Sequence, residues 1–249
     1  MKNLYPNAFG GLFESAYYLR YLPKIENLDG SYARTYGYAS NDSVFKDCKS
    51  LRSIPEDFLK QIYGYQTSYY YCHLNNMFTN CNALDEVRGV MPVTGAITSN
   101  MLNQTAYYCY RLKDFIFAFQ EDGTPYTAQW KNQTFDLTTV GWASSAQLTA
   151  ITNAYNSGIS QDKQVRTDAE YQALKDDPDW FALDVNYSRY NHDSAVRTII
   201  SLPDCSATGT NTIKFKGEAG AKTDGGAINT LTEEEIAVAV AKGWTVSLV

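Results

Sequence analysis

Five cysteines, two histidines and a few acidic clusters are the side chains through which this chain of 249 residues could do chemistry. Cys48, Cys72, Cys81, Cys109 and Cys205 contain no Cys-x-x-Cys pair, the spacing that a structural zinc site or a dithiol redox motif requires. An odd number of thiols does not complete a disulfide framework, so reduced cysteine is the expectation. His73 and His192 do not form the His-x-x-x-His spacing that puts two imidazoles on one helix face. His192 beside Asp193 suggests a dyad for a serine. Adjacent residues seldom orient their own side chains in that way, and the chain has no Gly-x-Ser-x-Gly elbow, so a polar boundary residue is the simpler reading.

Asp176, Asp177 and Asp179 are the best candidates for a carboxylate pair or a calcium site. Glycoside hydrolysis would need two carboxylates facing each other across a cleft. Calcium would call for a twelve-residue loop with an internal glycine. The plainer reading is that aspartates form a turn where a helix stops at Pro178. Glu233, Glu234 and Glu235 suit a helix N-terminus and read as electrostatic caps. Gly217, Gly220, Gly225 and Gly226 are spaced too loosely to cradle phosphate. No catalytic residue, metal or cofactor is expected.

The unusual component is aromatic: 20 tyrosines. Tyr63, Tyr65, Tyr69, Tyr70 and Tyr71 crowd one short run. Tyrosine offers rigid amphipathic contact area at low entropic cost, so this run is the candidate binding surface for sugar or protein. Packing of alternate tyrosines inside the fold stands beside that reading. A net charge of −6 without a basic cluster argues against nucleic acid as a partner. No apolar run reaches the length of a membrane span. Residues 1–11 lack the apolar core and cleavage site of a secretory signal, so either the chain is used without Sec export or an export signal lies outside this sequence.

These residues must be positioned by a scaffold, and the scaffold is repetitive. Leu12 to Pro23 matches Val44 to Pro55 position by position, Met77 to Val87 is a third copy, and Thr105 to Phe115 is a fourth. The shared form is Phe-x-x-Cys-x-x-Leu-x-x-Leu/Ile/Val, with Ala106 replacing the aromatic in the fourth copy. Ala16, Cys48, Cys81 and Cys109 mark one position at intervals of 32, 33 and 28 residues, within the range of repeat architectures. A period of three fits neither a strand nor a helix. A tight turn feeding a short strand would point every third residue inward. Phe13, Leu19, Phe45, Cys48, Leu51, Phe78, Cys81, Leu84, Cys109 and Leu112 are then the repeat core, with the thiols stacked in successive coils.

Asn76-Met77-Phe78-Thr79-Asn80-Cys81-Asn82-Ala83-Leu84 resembles the unit of the BspA-like leucine-rich repeats, and the resemblance covers about the first half of the chain. It implies surface proteins of gut and oral bacteria, or structural proteins of their phages, and carries no catalytic residues. The expected fold class is an α/β repeat, an irregular leucine-rich-repeat-like solenoid with a helix–strand C-terminal capping region. Residues 1–117 would form the coils, and 118–249 an irregular region and cap continuous with them.

Within the second part, Phe115 to Phe119, an Asp122-Gly123 turn and Tyr126 to Trp130 read as a loose hairpin. Ser144 to Tyr155, Thr167 to Leu174 and Asp193 to Pro203 read as helices. A strand follows at Thr212 to Lys216. Thr232-Glu233-Glu234-Glu235 is a capping box for a helix through Lys242, Gly243 its C-terminal cap, and Trp244 to Val249 a closing strand.

The function expected from this reading is a non-enzymatic structural or adhesive component of a phage virion, tail or fibre associated. Its partners would be other virion proteins or a host-surface receptor or glycan, with homo-oligomers possible. Assembly in the bacterial cytoplasm would suit reduced thiols. A bacterial cell-surface adhesin and a glycan-cleaving tail protein are the alternatives.

Overall fold

The computed structural model describes residues 13–16, 19–22, 43–56, 58–59, 74–92, 94–97, 100–141, 190–217 and 228–249, and the backbone alone at 187–188 and 222–223. Apolar side chains of the repeat segments are three residues apart because the backbone turns every three residues. Cys48 N donates to Phe45 O and Leu51 N to Cys48 O; Cys81 and Leu84 repeat this on Phe78 and Cys81, and Cys109 and Leu112 on Ala106 and Cys109. Each turn therefore satisfies only some of its own polar groups, and the remainder must find partners in another segment.

They find them one repeat away. Phe13 N donates to Val44 O (2.9 Å), Phe45 N to Met77 O (3.0 Å) and Phe78 N to Thr105 O (2.8 Å), and two residues later Ser15, Asp47 and Asn80 donate to Lys46, Thr79 and Tyr107. On the returning side the direction reverses: Arg52 N bonds Arg20 O, Asp85 N bonds Arg52 O, and Lys113 N bonds Asp85 O. The four segments are thus stacked in register. Phe13 lies on Phe45 (ring centroids 5.5 Å, 6° between planes) and Phe45 on Phe78 (5.8 Å, 6°).

The turns bend through left-handed residues at equivalent places: Ser15, Asp47, Asn80 and Tyr108 have φ of 62°, 62°, 61° and 61°, and Ser43, Asn76 and Gln104 have 60°, 54° and 53°. Asp and Asn visit this region at least cost, Tyr at most.

The leucine-rich-repeat solenoid expected from the sequence is not what forms. A solenoid would carry one continuous parallel sheet, whereas the described strands gather into separate parallel sheets of two, three and two strands. Strands β1 (Glu86–Val90) and β2 (Asp114–Phe117) pair with each other, while among the described residues the first two segments contribute only the isolated bridge Tyr21–Ser53. The three-residue turns supply the reason, since backbone committed to i+3 bonds cannot extend into a ladder. The β1–β2 register is also broken between Arg88 and Val90, at Gly89 (φ 78°).

A separate sheet forms further along. β3 (Thr134–Leu137), β5 (Asn211–Phe215) and β7 (Trp244–Leu248) are parallel in that order, and β4 (Tyr187–Ser188) pairs with β6 (Lys222–Thr223). Parallel neighbours need a crossover. Helix α1 (His192–Ser201) precedes β5 and α2 (Glu233–Ala241) joins β5 to β7. Asn191 caps α1 and Thr232 caps α2 in a full capping box with Glu235. Gly243, at φ 78°, lets the chain leave α2; a Cβ there would stand 2.7 Å from the Cys205 carbonyl oxygen. Lys242 Nζ donates to the carbonyls of Ile199 (3.1 Å) and Ile200 at the negative end of α1, and burial brings its pKa down to about 8.

The expected hairpin is also corrected. Gln120 N bonds Thr124 O (2.8 Å) around Gly123, and Phe119 bridges Pro125, but the chain does not return along β2. Tyr126 and Ala128 instead pair with Asp204. A backbone bond that looks local in sequence is outcompeted by one across the core. The proposed helices at Ser144–Tyr155 and Thr167–Leu174 lie outside the described residues.

Replacing Phe45, the fully buried middle ring of the stack, with alanine is expected to cost about 3–5 kcal/mol. Urea unfolding monitored by circular dichroism measures it; a loss under about 1 kcal/mol would mean that the stack carries little weight.

Candidate functional site

Of the repeat-core residues, Phe45, Cys48, Leu51, Phe78, Cys81, Leu84, Cys109 and Leu112 are all fully buried, and Phe13 and Leu19 pack against the same core while partly exposed. Each thiol in the file has a specific acceptor. Cys48 Sγ donates to Phe13 O (2.9 Å), Cys81 Sγ to Phe45 O (3.0 Å) and Cys109 Sγ to Phe78 O (2.9 Å). Burial pushes the Cys48 and Cys205 thiols up to about 12, and Cys81 and Cys109 are also raised by burial, Cys81 further by its neighbouring thiols. A thiol held neutral is a poor nucleophile and metal ligand. Among the described residues, no group of three or more His, Cys, Asp or Glu side chains is placed to hold a metal ion.

Tyr63, Tyr65, Tyr69, Tyr70 and Tyr71 lie outside the described residues, as do Asp176, Asp177, Asp179, Gly220, Gly225 and Gly226. Gly217 is described and donates its N–H to Val249 O. Among the tyrosines with described side chains, Tyr107, Tyr108 and Tyr110 gather on the fourth turn. Tyr107 and Tyr108 meet edge to face at 4.4 Å, both half-buried, and Tyr108 lies 5.9 Å from the buried Tyr110.

His192 stands at the first turn of α1 with both ring nitrogens facing carboxylates: Asp193 at 3.3 Å and Glu235 at 3.0 Å. Ser194 Oγ is bonded to Asn191 Oδ1 rather than to the imidazole. Burial opposes the proton on His192, but the two carboxylates outweigh it and its pKa is raised. Glu235 is lowered, first by the Thr232 backbone N–H and then by His192. This group ties α1 to α2.

A second polar cluster escaped the sequence reading. Asp114, at the head of β2 and almost wholly buried, accepts from Arg88 Nη2 on β1 (2.7 Å) and from Arg197 Nε and Nη2 on α1 (2.8 and 2.7 Å). Arg88 Nε also bonds Glu86 (2.9 Å). The carboxylate's charge is thereby shared by two guanidiniums from separate elements, which ties α1 to β1 and β2. The only sequence signal was a carboxylate opening the apolar run Phe115-Ile116-Phe117. Beside the cluster is an open cleft of about 330 Å³ lined by Glu56, Arg88, Ile116, Phe119, Arg197 and Ile200 among others.

No helix among the described residues is long and apolar enough to cross a membrane. Comparison of the chain with family models, with curated proteins and with solved structures yields no match.

Two outcomes follow from the raised thiols and the raised imidazole. Native protein treated with iodoacetamide at pH 8 should leave Cys48, Cys81, Cys109 and Cys205 unmodified on peptide mapping, with full labelling only in denaturant; labelling of the native file within minutes would contradict the burial. The His192 resonance should titrate above its ordinary 6.5. Its contribution to stability is then fully present below that value and lost as pH rises through the folded-state pKa. A His192→Gln variant should accordingly lose most at pH 5.5 and least at pH 8.5; an equal loss at both would show that the imidazolium does not matter.

Proposed function

We propose that this protein is a non-enzymatic structural or adhesive component of a phage virion, tail or fibre associated, acting through contacts with other virion proteins or a host-surface receptor or glycan. The observation that carries the reading is the thiol file. Residue types that could do chemistry are spent on holding one turn to the next, with each sulfur donating to the carbonyl a repeat earlier. His192 is likewise committed to Asp193 and Glu235, and Asp114 to two arginines. A frame held in this way by stacked aromatic rings keeps its outward side chains at fixed spacing, which is what a contact surface needs. The resemblance of the repeat segments to BspA-like surface proteins supports adhesion from the sequence side.

Mass spectrometry of purified virions should find the chain at stoichiometric copy number. Recovery from bacterial cell surfaces and not from particles would replace the virion with a surface adhesin. Incubation with host-capsule glycans should release no product; turnover abolished by Asp177→Asn would make it a glycan-cleaving protein.

A further inference from the structure

The three-stranded sheet ends on β7, and the bonding of β7 to β5 leaves its other side unused. Gly243 O accepts from Asn211 N, Val249 N donates to Phe215 O, and Val249 O accepts from Gly217 N, so alternate residues from Gly243 to Val249 face β5. In a parallel ladder the residues between them point the opposite way. The N–H and C=O groups of Trp244, Val246 and Leu248 therefore line the outer edge, where no strand pairs among the described residues. Natural sheets guard such an edge with charge, proline or a bulge. β7 has none of these: it reads Trp-Thr-Val-Ser-Leu, and its register with β5 is unbroken.

Helix α2 continues the same end of the core. It meets α1 through Glu235 on His192 and Lys242 on the carbonyls of Ile199 and Ile200. At about 100° per residue, Ala237 and Val240 lie at least about 140° round the helix from both contacts. They face away from α1 as the outer edge of β7 faces away from β5, and both are exposed, Val240 by 58%. Leu248, on the edge strand itself, is 40% exposed.

Charge and symmetry choose the occupant. Copies of a chain with net charge −6 repel each other unless they meet across a neutral face. β7, Ala237, Val240 and Ala241 form such a face. A two-fold axis beside Val246 sets β7 antiparallel to β7 of a second copy, pairing Val246 with Val246 and Trp244 with Leu248. Every outward donor and acceptor of those three residues then finds a partner. Two strand steps of about 3.3 Å match roughly four residues of α2 counted back from Ala241, which brings Ala237 to the axis. The two Glu233 carboxylates then stand roughly 12 Å apart along the helices, beyond the screening length of about 8 Å at physiological salt. Head-to-tail addition is disfavoured because the far flank of the sheet is already occupied: Thr134 N bonds Asn100 Oδ1, and Gln133 Oε1 accepts from Met101 N.

We propose that the outer edge of β7 and the adjoining side of α2 bind a second copy of this chain, as a two-fold dimer with a continuous six-stranded sheet. This interface goes beyond the contact-protein reading and does not depend on it.

Sedimentation velocity of the intact chain over a concentration series should show monomer and dimer in exchange. Leu248→Pro removes an outward N–H and no bond within the sheet, and Val240→Glu sets a carboxylate against the second copy. Each should raise the dimer Kd about tenfold or more, with circular dichroism reporting that the fold persists. Amide exchange on the unsubstituted chain gives a readout that needs no variant: the Val246 and Leu248 N–H groups should exchange more slowly in concentrated than in dilute protein. Monomer at every concentration, a trimer or open-ended growth would overturn the proposal. So would a dimer that either folded variant leaves at full strength, or one in which those two amides exchange as fast as in dilute protein. A dimer formed by a chain absent from virions would sink the virion assignment and leave this interface standing.

Discussion

Backbone hydrogen bonding between segments about thirty residues apart is the constraint on which this structure rests. A chain that turns every three residues closes only its i+3 bonds, and its remaining N–H groups cannot be buried unpaired without a cost on the order of 1–3 kcal/mol each. Phe45, Asp47, Phe78 and Asn80 solve this by donating to the next segment at the same offset. Once the offset is fixed, equivalent side chains must lie over one another: rings on rings, thiols on carbonyls, and Asn80 Nδ2 on Asp47 Oδ1 at 2.8 Å. Unequal intervals do not disturb this. Loop-closure entropy grows only logarithmically, so the difference between intervals of 33 and 28 residues is worth about 0.1 kcal/mol.

The same constraint explains the choice of cysteine. The corner position faces a carbonyl already bonded within its own turn: Phe45 O accepts Cys48 N as well as Cys81 Sγ. A small side chain with a weak donor fits, whereas a larger one would part the turns and an aliphatic one would leave the second lone pair unused. Burial then holds the sulfur neutral, so redox and metal chemistry are traded for packing.

What the sequence disclosed and what it hid divide along the reach of each interaction. The Phe-x-x-Cys-x-x-Leu register was legible because three-residue turns act within six residues, and the α2 capping box because it acts within four. Helix α1 and strands β5 and β7 came within a residue or two of the expected positions. Sheet organisation was not legible. Whether repeat segments join in one ladder depends on how much backbone each turn consumes, and on a break at Gly89 that leaves no periodic mark. Nor was the Asp114 cluster visible, since Arg88, Asp114 and Arg197 are separated by 26 and 83 residues.

The fourth turn shows why the stack stops where it does. Ala106 stands where Phe13, Phe45 and Phe78 stack, so Phe78 has no ring to lie on and meets Phe115 edge-on instead, at 6.2 Å and 72°. From there the aromatic core changes geometry, each ring meeting the next at a steep angle through Phe115, Phe135, Phe117, Trp130 and Trp244. Parallel stacking propagates only an identical repeat, while edge-to-face packing accepts rings arriving from different elements. Where Ala106 ends the parallel stack, edge-to-face contacts carry the core on to the rings of β3 and β7. Tyrosine stands at both outward positions of that turn, and Tyr108 occupies a left-handed backbone site that costs a bulky residue on the order of 1–2 kcal/mol. Thr139 Oγ1 and Asn82 Nδ2 hold it there by bonding its N–H and C=O. The turn thus adds no ring to the parallel stack, and its own aromatics are two half-buried rings, Tyr107 and Tyr108, and the buried Tyr110.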